Sequence, residues 1–254
     1  MLISAAILSI IAFIIIYFRL YLFLFPKNRL LILMYHQIEK ETHEDLTVSL
    51  RNIEKQFEYL NRKKYTSKFF SELPSPSKKN IIITFDDGYR NNYDYLPSLL
   101  KKHYLKATIF IPTQFIQGGY KDYKMMTFEE LRNLDKDYFE IALHSHSHQN
   151  FRNISAADAE NDLKTNMKIL EDEGIGYSKV LAYPYGKYPK KNPDKAFLFS
   201  TLKKSGITYA VRIGNKVNYF PSKKPYELCR IDIKGTDSLI HFKLKLIFGR
   251  LKLF

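Results

Sequence analysis

Seven short runs of almost unbroken apolar residues punctuate the sequence: LLILMY (30–35), IIITF (81–85), ATIFIP (107–112), FEIAL (139–143), VLAY (180–183), TYAVRI (208–213) and LCRIDI (228–233). A strand with one wet face would alternate apolar and polar residues. Short runs that do not alternate are the pattern of strands buried on both faces. Most of the gaps between them read as helices. Residues 49–63 carry Leu50, Ile53, Phe57 and Leu60 at helical spacing, and 92–103, 127–134, 156–172 and 194–205 follow. Thr127 with Glu130, and Ser155 with Asp158, are candidate capping pairs, while Gly174 and Gly206 would close helices. SELPSPSKKN (71–80) is a loop.

Buried strands alternating with helices imply a one-domain parallel α/β fold, either an open sheet or a barrel. The polar residues separate the two. His36 follows the first run, Asp86 and Asp87 the second, His144 the fourth and Tyr185 the fifth. In a parallel barrel every strand C-terminus opens on one face, so these groups would converge. We therefore expect a distorted, incomplete (β/α) barrel of about seven parallel strands, with 113–126 and the 30–80 entry as its irregular parts.

The N-terminus is of another kind. Residues 2–18 carry no charge, Arg19 interrupts, and LYLFLF continues to Phe25. A bilayer-spanning helix needs about 20 apolar residues, so 2–25 reads as an N-terminal transmembrane helix with Arg19 snorkelling. No basic start or small-residue cleavage site marks it as a signal peptide. The expected division is an anchor at 1–26 and a single folded domain at 27–254, on a single-pass membrane protein. Arg19, Lys27 and Arg29 all follow the apolar run, which by the positive-inside tendency favours a cytoplasmic domain. Residues 237–254 form a basic amphipathic tail, and 240–254 could lie on an anionic membrane surface. The alternative for 237–248 is a last barrel helix.

The formal net charge of +14 suggests an anionic partner, yet it speaks about association rather than fold. No nucleic-acid module is recognisable, so no nucleic-acid partner is expected. A lone Cys229 excludes an internal disulfide framework.

Two motifs carry chemistry. TFDDG (84–88) ends an apolar strand with two carboxylates, and desolvating two like charges together is costly unless a cation shares the site. By itself it reads better as a solvated turn, since adjacent acids are common in loops. HSHSH (144–148) shifts that balance, with three of the chain's seven His alternating after a strand. His144 and His148 share a face whether the segment is extended or helical, whereas His146 joins them only if it is extended. Two imidazoles and a carboxylate with an open position suit a divalent metal, zinc above all.

TFDDG, then a strand leading into HSxxH (144–148), then AYPYG (182–186), resembles the polysaccharide deacetylase family with its NodB homology domain. LMYHQI (33–38) resembles the subgroup that deacetylates poly-β-1,6-N-acetylglucosamine. The resemblance spans about 30–233 and implies a seven-stranded barrel and a metal-dependent hydrolase. Its substrate would be the N-acetyl groups of a polysaccharide, and its location extracytoplasmic, against the flanking charges. It implies Asp86 as catalytic base, and Asp87, His144 and His148 as metal ligands. It implies that the Tyr185 backbone N–H faces the oxyanion. His36 is the first choice for the acid that protonates the leaving amine, and His241 in SLIHF is the reserve.

Many family members carry Arg where this chain has Ala182, and that Arg orients the catalytic Asp. Arg230 could approach Asp86 from another direction, or else pair with Asp232 or lie at the surface. The alternative to an enzyme is a glycan-binding or assembly protein that kept the barrel and lost catalysis. A metal-dependent phosphoesterase would want more carboxylates than the sequence offers.

Overall fold

The structure is a computed structural model that describes residues 2–17, 28–41, 44–73 and 79–250. Its frame is seven parallel strands: β1 Arg29–Tyr35, β2 Asn80–Asp86, β3 Ala107–Ile111, β4 Phe139–Leu143, β5 Ser178–Ala182, β6 Tyr209–Ile213 and β7 Leu228–Asp232. Each strand hydrogen-bonds its sequence neighbour in parallel, and β1 pairs with both β2 and β7. The sheet therefore closes into a barrel. This corrects the expectation of an incomplete one: β1 runs in register with β2 from Leu30↔Asn80 to Tyr35↔Phe85, leaving no open edge there. Distortion survives in the register shift between β4 and β5 at Ala142 and Leu143.

Strand burial explains the near-continuous apolar runs. Successive side chains point to opposite faces. Leu30, Ile32, Ile82, Phe110, Ala142, Val180, Ala182, Val211 and Leu228 fill the barrel interior. Their odd partners, among them Leu31, Leu33, Ile83, Ile109, Leu143, Leu181 and Ile231, pack against the helical ring. Parity also fixes the chemistry: Thr84 and Asp86 share the face of Ile82, and Arg230 shares that of Leu228.

The ring contains α2 Leu50–Arg62, α3 Arg90–His103, α6 Ala156–Asp172, α7 Asp194–Lys204 and α8 Leu239–Phe248. Two short helices lie after β3: α4 Thr113–Gly118 falls in the 113–126 stretch expected to be irregular, and α5 Phe128–Arg132 falls within the helix expected at 127–134. Side chains cap the helix starts at the expected Thr127 and Ser155 and also at Ser49. Ser49 Oγ accepts the Asn52 N–H, Thr127 and Glu130 form a reciprocal capping box, and Ser155 Oγ accepts the Asp158 N–H. α2 turns Ile53, Gln56, Phe57 and Leu60 inward, and Gln56 Oε1 accepts the Tyr35 hydroxyl at 2.8 Å.

α1 covers Leu2–Tyr17, 16 residues, or about 24 Å at the helical rise. Among the described residues no helix is long and apolar enough to cross a membrane. The rest of the expected span, and the expected boundary at 26, fall in 18–27, outside the described residues. Residues 237–248 resolve to the last barrel helix. α8 buries Phe242 and Leu246, and Phe242 meets Tyr59 of α2 edge to face. The final tail residues, 251–254, lie outside the described residues.

Candidate active site and metal centre

The C-terminal ends of β1, β2, β4, β5 and β7 bring the chemical residues together, as the barrel geometry requires. Asp86 is the last residue of β2. Asp87 follows at φ 72°, a left-handed position that turns its carboxylate back over the barrel mouth, and Gly88 continues the turn at φ 75°. A Cβ on Gly88 would stand 2.9 Å from Ile111 Cδ1, so the turn lies tight against β3.

His144 and His148 lie on the loop after β4. Their Nε2 atoms stand 3.5 and 3.4 Å from the same oxygen, Asp87 Oδ1. One ligand atom from each of Asp87, His144 and His148 lies within 4.8 Å of the others. Asp87 Oδ1 is buried and has no hydrogen-bond partner, an expensive condition for a carboxylate oxygen unless a cation meets it. His144 Nδ1 stands 2.7 Å from the carbonyl oxygen of Ala182, a partner that only accepts. The proton therefore sits on Nδ1, and the Nε2 lone pair is free for a metal. Burial, reinforced by neighbouring His144, pulls the His148 pKa down to about 4, so that imidazole is neutral and able to ligate. The donor set fits a divalent cation. His146, the middle residue of HSHSH, turns away to Thr113 Oγ1 at 2.9 Å and is no part of it.

Beside this centre, Asp86 is 2% exposed and held by Arg230. Nη1 donates to Oδ1 at 2.5 Å and Nη2 to Oδ2 at 2.7 Å. Arg230 lies inside β7, itself 1% exposed, with its guanidinium over the Phe110 ring. This excludes both an Asp232 pair and a surface position. Burial would raise the Asp86 pKa, but Arg230, then His144 and His36, hold it well below the usual carboxylate range. Ala182 is thus matched by an Arg from β7. The signal was one of strand parity: Arg230 lies two residues from interior-facing Leu228.

His36, just past β1, places Nε2 3.9 Å from Asp86 Oδ2. Its carbonyl accepts the Asn92 side-chain N–H at 3.0 Å. His241 is exposed at the start of α8, and no described hydrogen bond or ion pair joins it to the cluster. Tyr185 sits at φ 56° in the turn Pro184–Gly186, its ring 4.8 Å from that of His148. Among the described hydrogen bonds the Tyr185 N–H has no intramolecular acceptor, whereas those of Gly186 and Lys187 bond back to Tyr183 and Pro184. A Cβ on Gly186 would meet Ile213 N at 2.7 Å, so only glycine lets this turn lie on β6.

Sequence reasoning missed Asp162 of α6, which accepts backbone N–H groups of the His loop. It also missed the aromatic wall in which Phe115 stacks on Tyr120 at 4.0 Å and meets His148 at 5.1 Å. Phe115 lies in the stretch expected to be irregular, where no periodicity marked it.

The chain is similar in fold and in sequence to known proteins. The deacetylase PplD of Streptococcus pyogenes, in complex with acetate, superposes with a TM-score of 0.74 at 19% identity, covering 86% of this chain and 98% of that one. IcaB of Ammonifex degensii gives 0.71 at 16% identity, covering 86% and 96%. In sequence, the poly-β-1,6-N-acetyl-D-glucosamine N-deacetylase of Staphylococcus epidermidis is 25% identical over 241 residues, 82% of this chain and 80% of that protein. YxkH of Bacillus subtilis, named for polysaccharide deacetylation, is 28% identical over 167 residues, 63% of this chain. The match spans only 58% of the length of YxkH. The family model for polysaccharide deacetylase matches residues 74–208. The chain belongs to the polysaccharide deacetylase family.

Proposed function

We propose that the protein hydrolyses the N-acetyl groups of amino sugars in a polysaccharide of the poly-N-acetylglucosamine kind, with a divalent metal, zinc, held by Asp87, His144 and His148. The observation that carries the reading is the pairing of two unlike carboxylates. Asp87 offers an orphaned oxygen to a ligand set, while adjacent Asp86 is kept ionised by Arg230. Adjacent carboxylates with such different partners can take divided chemical roles.

A bound divalent cation supplies Lewis-acid polarisation of an acyl oxygen and lowers the pKa of a water. The protein's own groups do the rest. Asp86 takes the proton of the attacking water, and Arg230 keeps that carboxylate oriented. The Tyr185 N–H, free of any internal acceptor among the described bonds, donates to the oxygen of the tetrahedral intermediate. His36, whose Nε2 stands near the same Asp86 Oδ2 that His144 Nε2 approaches at 3.8 Å, donates a proton to the departing amine. The distance of 3.9 Å from Asp86 leaves its Nε2 available to substrate.

The reading as a non-catalytic glycan binder drew on Ala182, and the Arg230–Asp86 pair removes that support. Membrane attachment through residues 2–25, with the tail 240–254 beside it, is part of the proposal and rests on the uncharged run before Arg19. Protease accessibility of the domain in intact cells tests which side it occupies. The activity itself is tested by acetate release from an N-acetylglucosamine oligomer, with chelator and with zinc restored. Release that ignores the chelator, or that survives in Asp86→Asn, would overturn the mechanism.

A further inference from the structure

The loop that carries two of the three candidate ligands has no regular structure of its own. After β4 ends at Leu143, residues 144–148 leave the sheet, with Ser145 at φ 66° and His148 at φ 55°. Neither is glycine, so both sit in a left-handed conformation that persists only where the surroundings over-determine it. One restraint is internal: the His148 N–H donates to Ser145 Oγ at 3.0 Å.

The other comes from α6. Asp162 accepts the His146 N–H on Oδ2 at 3.0 Å and the Ser147 N–H on Oδ1 at 2.9 Å. Both carboxylate oxygens are thereby spent on two consecutive amides midway between His144 and His148. One turn further along the helix, fully buried Asn166 donates to the Ile111 carbonyl at 3.0 Å and to Thr113 Oγ1 at 3.2 Å. Thr113 Oγ1 in turn meets His146 Nδ1, which keeps that imidazole out of the ligand set. α6 itself is anchored through Ala159, Leu163 and Leu170. The clamp therefore stands on a rigid element.

We propose that Asp162 is a positioning residue for the metal centre: it holds the 144–148 backbone so that both imidazoles meet Asp87. The proposal rests on the metal-site reading above. A carboxylate suits the task, since it only accepts and its bonds to N–H groups are charge-assisted. Asparagine would offer one acceptor oxygen and turn a donor toward the second amide. A purely structural role in α6 would lower stability and leave the metal site unchanged.

The test uses the full chain stripped of metal and titrated with zinc against a chromophoric chelator, then with cobalt(II), whose visible absorption reports ligand geometry. No substrate is involved. Wild type and Asp87→Ala establish whether the ligand set binds; equal zinc affinity in the two would overturn the metal site and this proposal together. Asp162→Asn is expected to bind zinc about tenfold more weakly, with an altered cobalt spectrum. Asp172→Asn loses an exposed ion pair with Lys168 at the far end of the same helix and controls for a change in helix stability alone. Asp162→Glu keeps the charge but moves the carboxylate by one methylene, and should bind zinc with intermediate affinity. It also carries the test if Asp162→Asn does not fold. Wild-type zinc affinity and cobalt spectrum in a folded Asp162→Asn, or in Asp162→Glu if Asn is not tolerated, would overturn the proposal.

Discussion

Arg230 and Asp86 face each other inside the barrel as a bidentate ion pair, with both oxygens of the carboxylate engaged at 2.5 and 2.7 Å. The two strands that carry them, β7 and β2, flank β1, so closure of the sheet is what brings the charges together. Thr84 adds its hydroxyl oxygen to the guanidinium at 3.3 Å and donates to the Leu33 carbonyl at 2.7 Å.

Removing the cation from this pair leaves a buried, unpaired carboxylate. Arg230→Met is expected to destabilise the fold by about 3–5 kcal/mol in urea denaturation. Arg230→Lys restores charge without the planar fork and should recover part of that stability and less of the turnover.

The same pair sets a pH dependence. Burial favours the protonated form of Asp86, and Arg230 outweighs it, so the folded pKa lies below the unfolded one. Its stabilisation is fully present above the unfolded value, about 3.9, and fades only as pH falls through the folded value. In Arg230→Lys the carboxyl is less depressed. The acid limb of the rate profile should therefore move to higher pH, measured as initial acetate release between pH 4 and 8.

His148 gives the same sign in a higher pH window. Its folded pKa of about 4 lies below the ordinary value near 6.5, so the unfolded chain binds the extra proton first. Stability of chelator-treated protein should fall as pH drops from about 6.5 to about 4, by roughly 3 kcal/mol at most. Thermal melts across that window measure it. Zinc should flatten the slope, since it binds the neutral ring.

The proton roles separate by substitution. Asp86→Asn and His36→Gln should each lower turnover by about 10²–10⁴-fold while zinc binding is retained. His241→Gln should stay close to wild type, because His241 is exposed on α8 and has no described contact with the cluster. Turnover and zinc titration on the three variants check this.

Much of the fold is legible because burial on both faces writes itself directly into composition. All seven strands fall within two residues of the apolar runs, and capping residues such as Ser49 and Thr127 mark helix starts through bonds only a few residues long. His144 and His148 were readable for the same local reason: spacing alone put them on one face. Other features depend on residues far apart in sequence. Barrel closure needs β1 to meet β7, and an apolar run does not say which neighbour it pairs with. The choice of His36 over His241 depends on which one the fold carries to Asp86.

Sequence by itself determined the strand and helix succession and the placing of His144 and His148 on one face, because these follow from local periodicity and side-chain chemistry. Only the tertiary structure decided that Arg230 replaces the Arg missing at Ala182, that His146 turns to Thr113, and that Asp162 holds the ligand loop. Each of these is a contact between residues 16 to 144 positions apart. Chain closure over such separations leaves no periodic trace in the sequence.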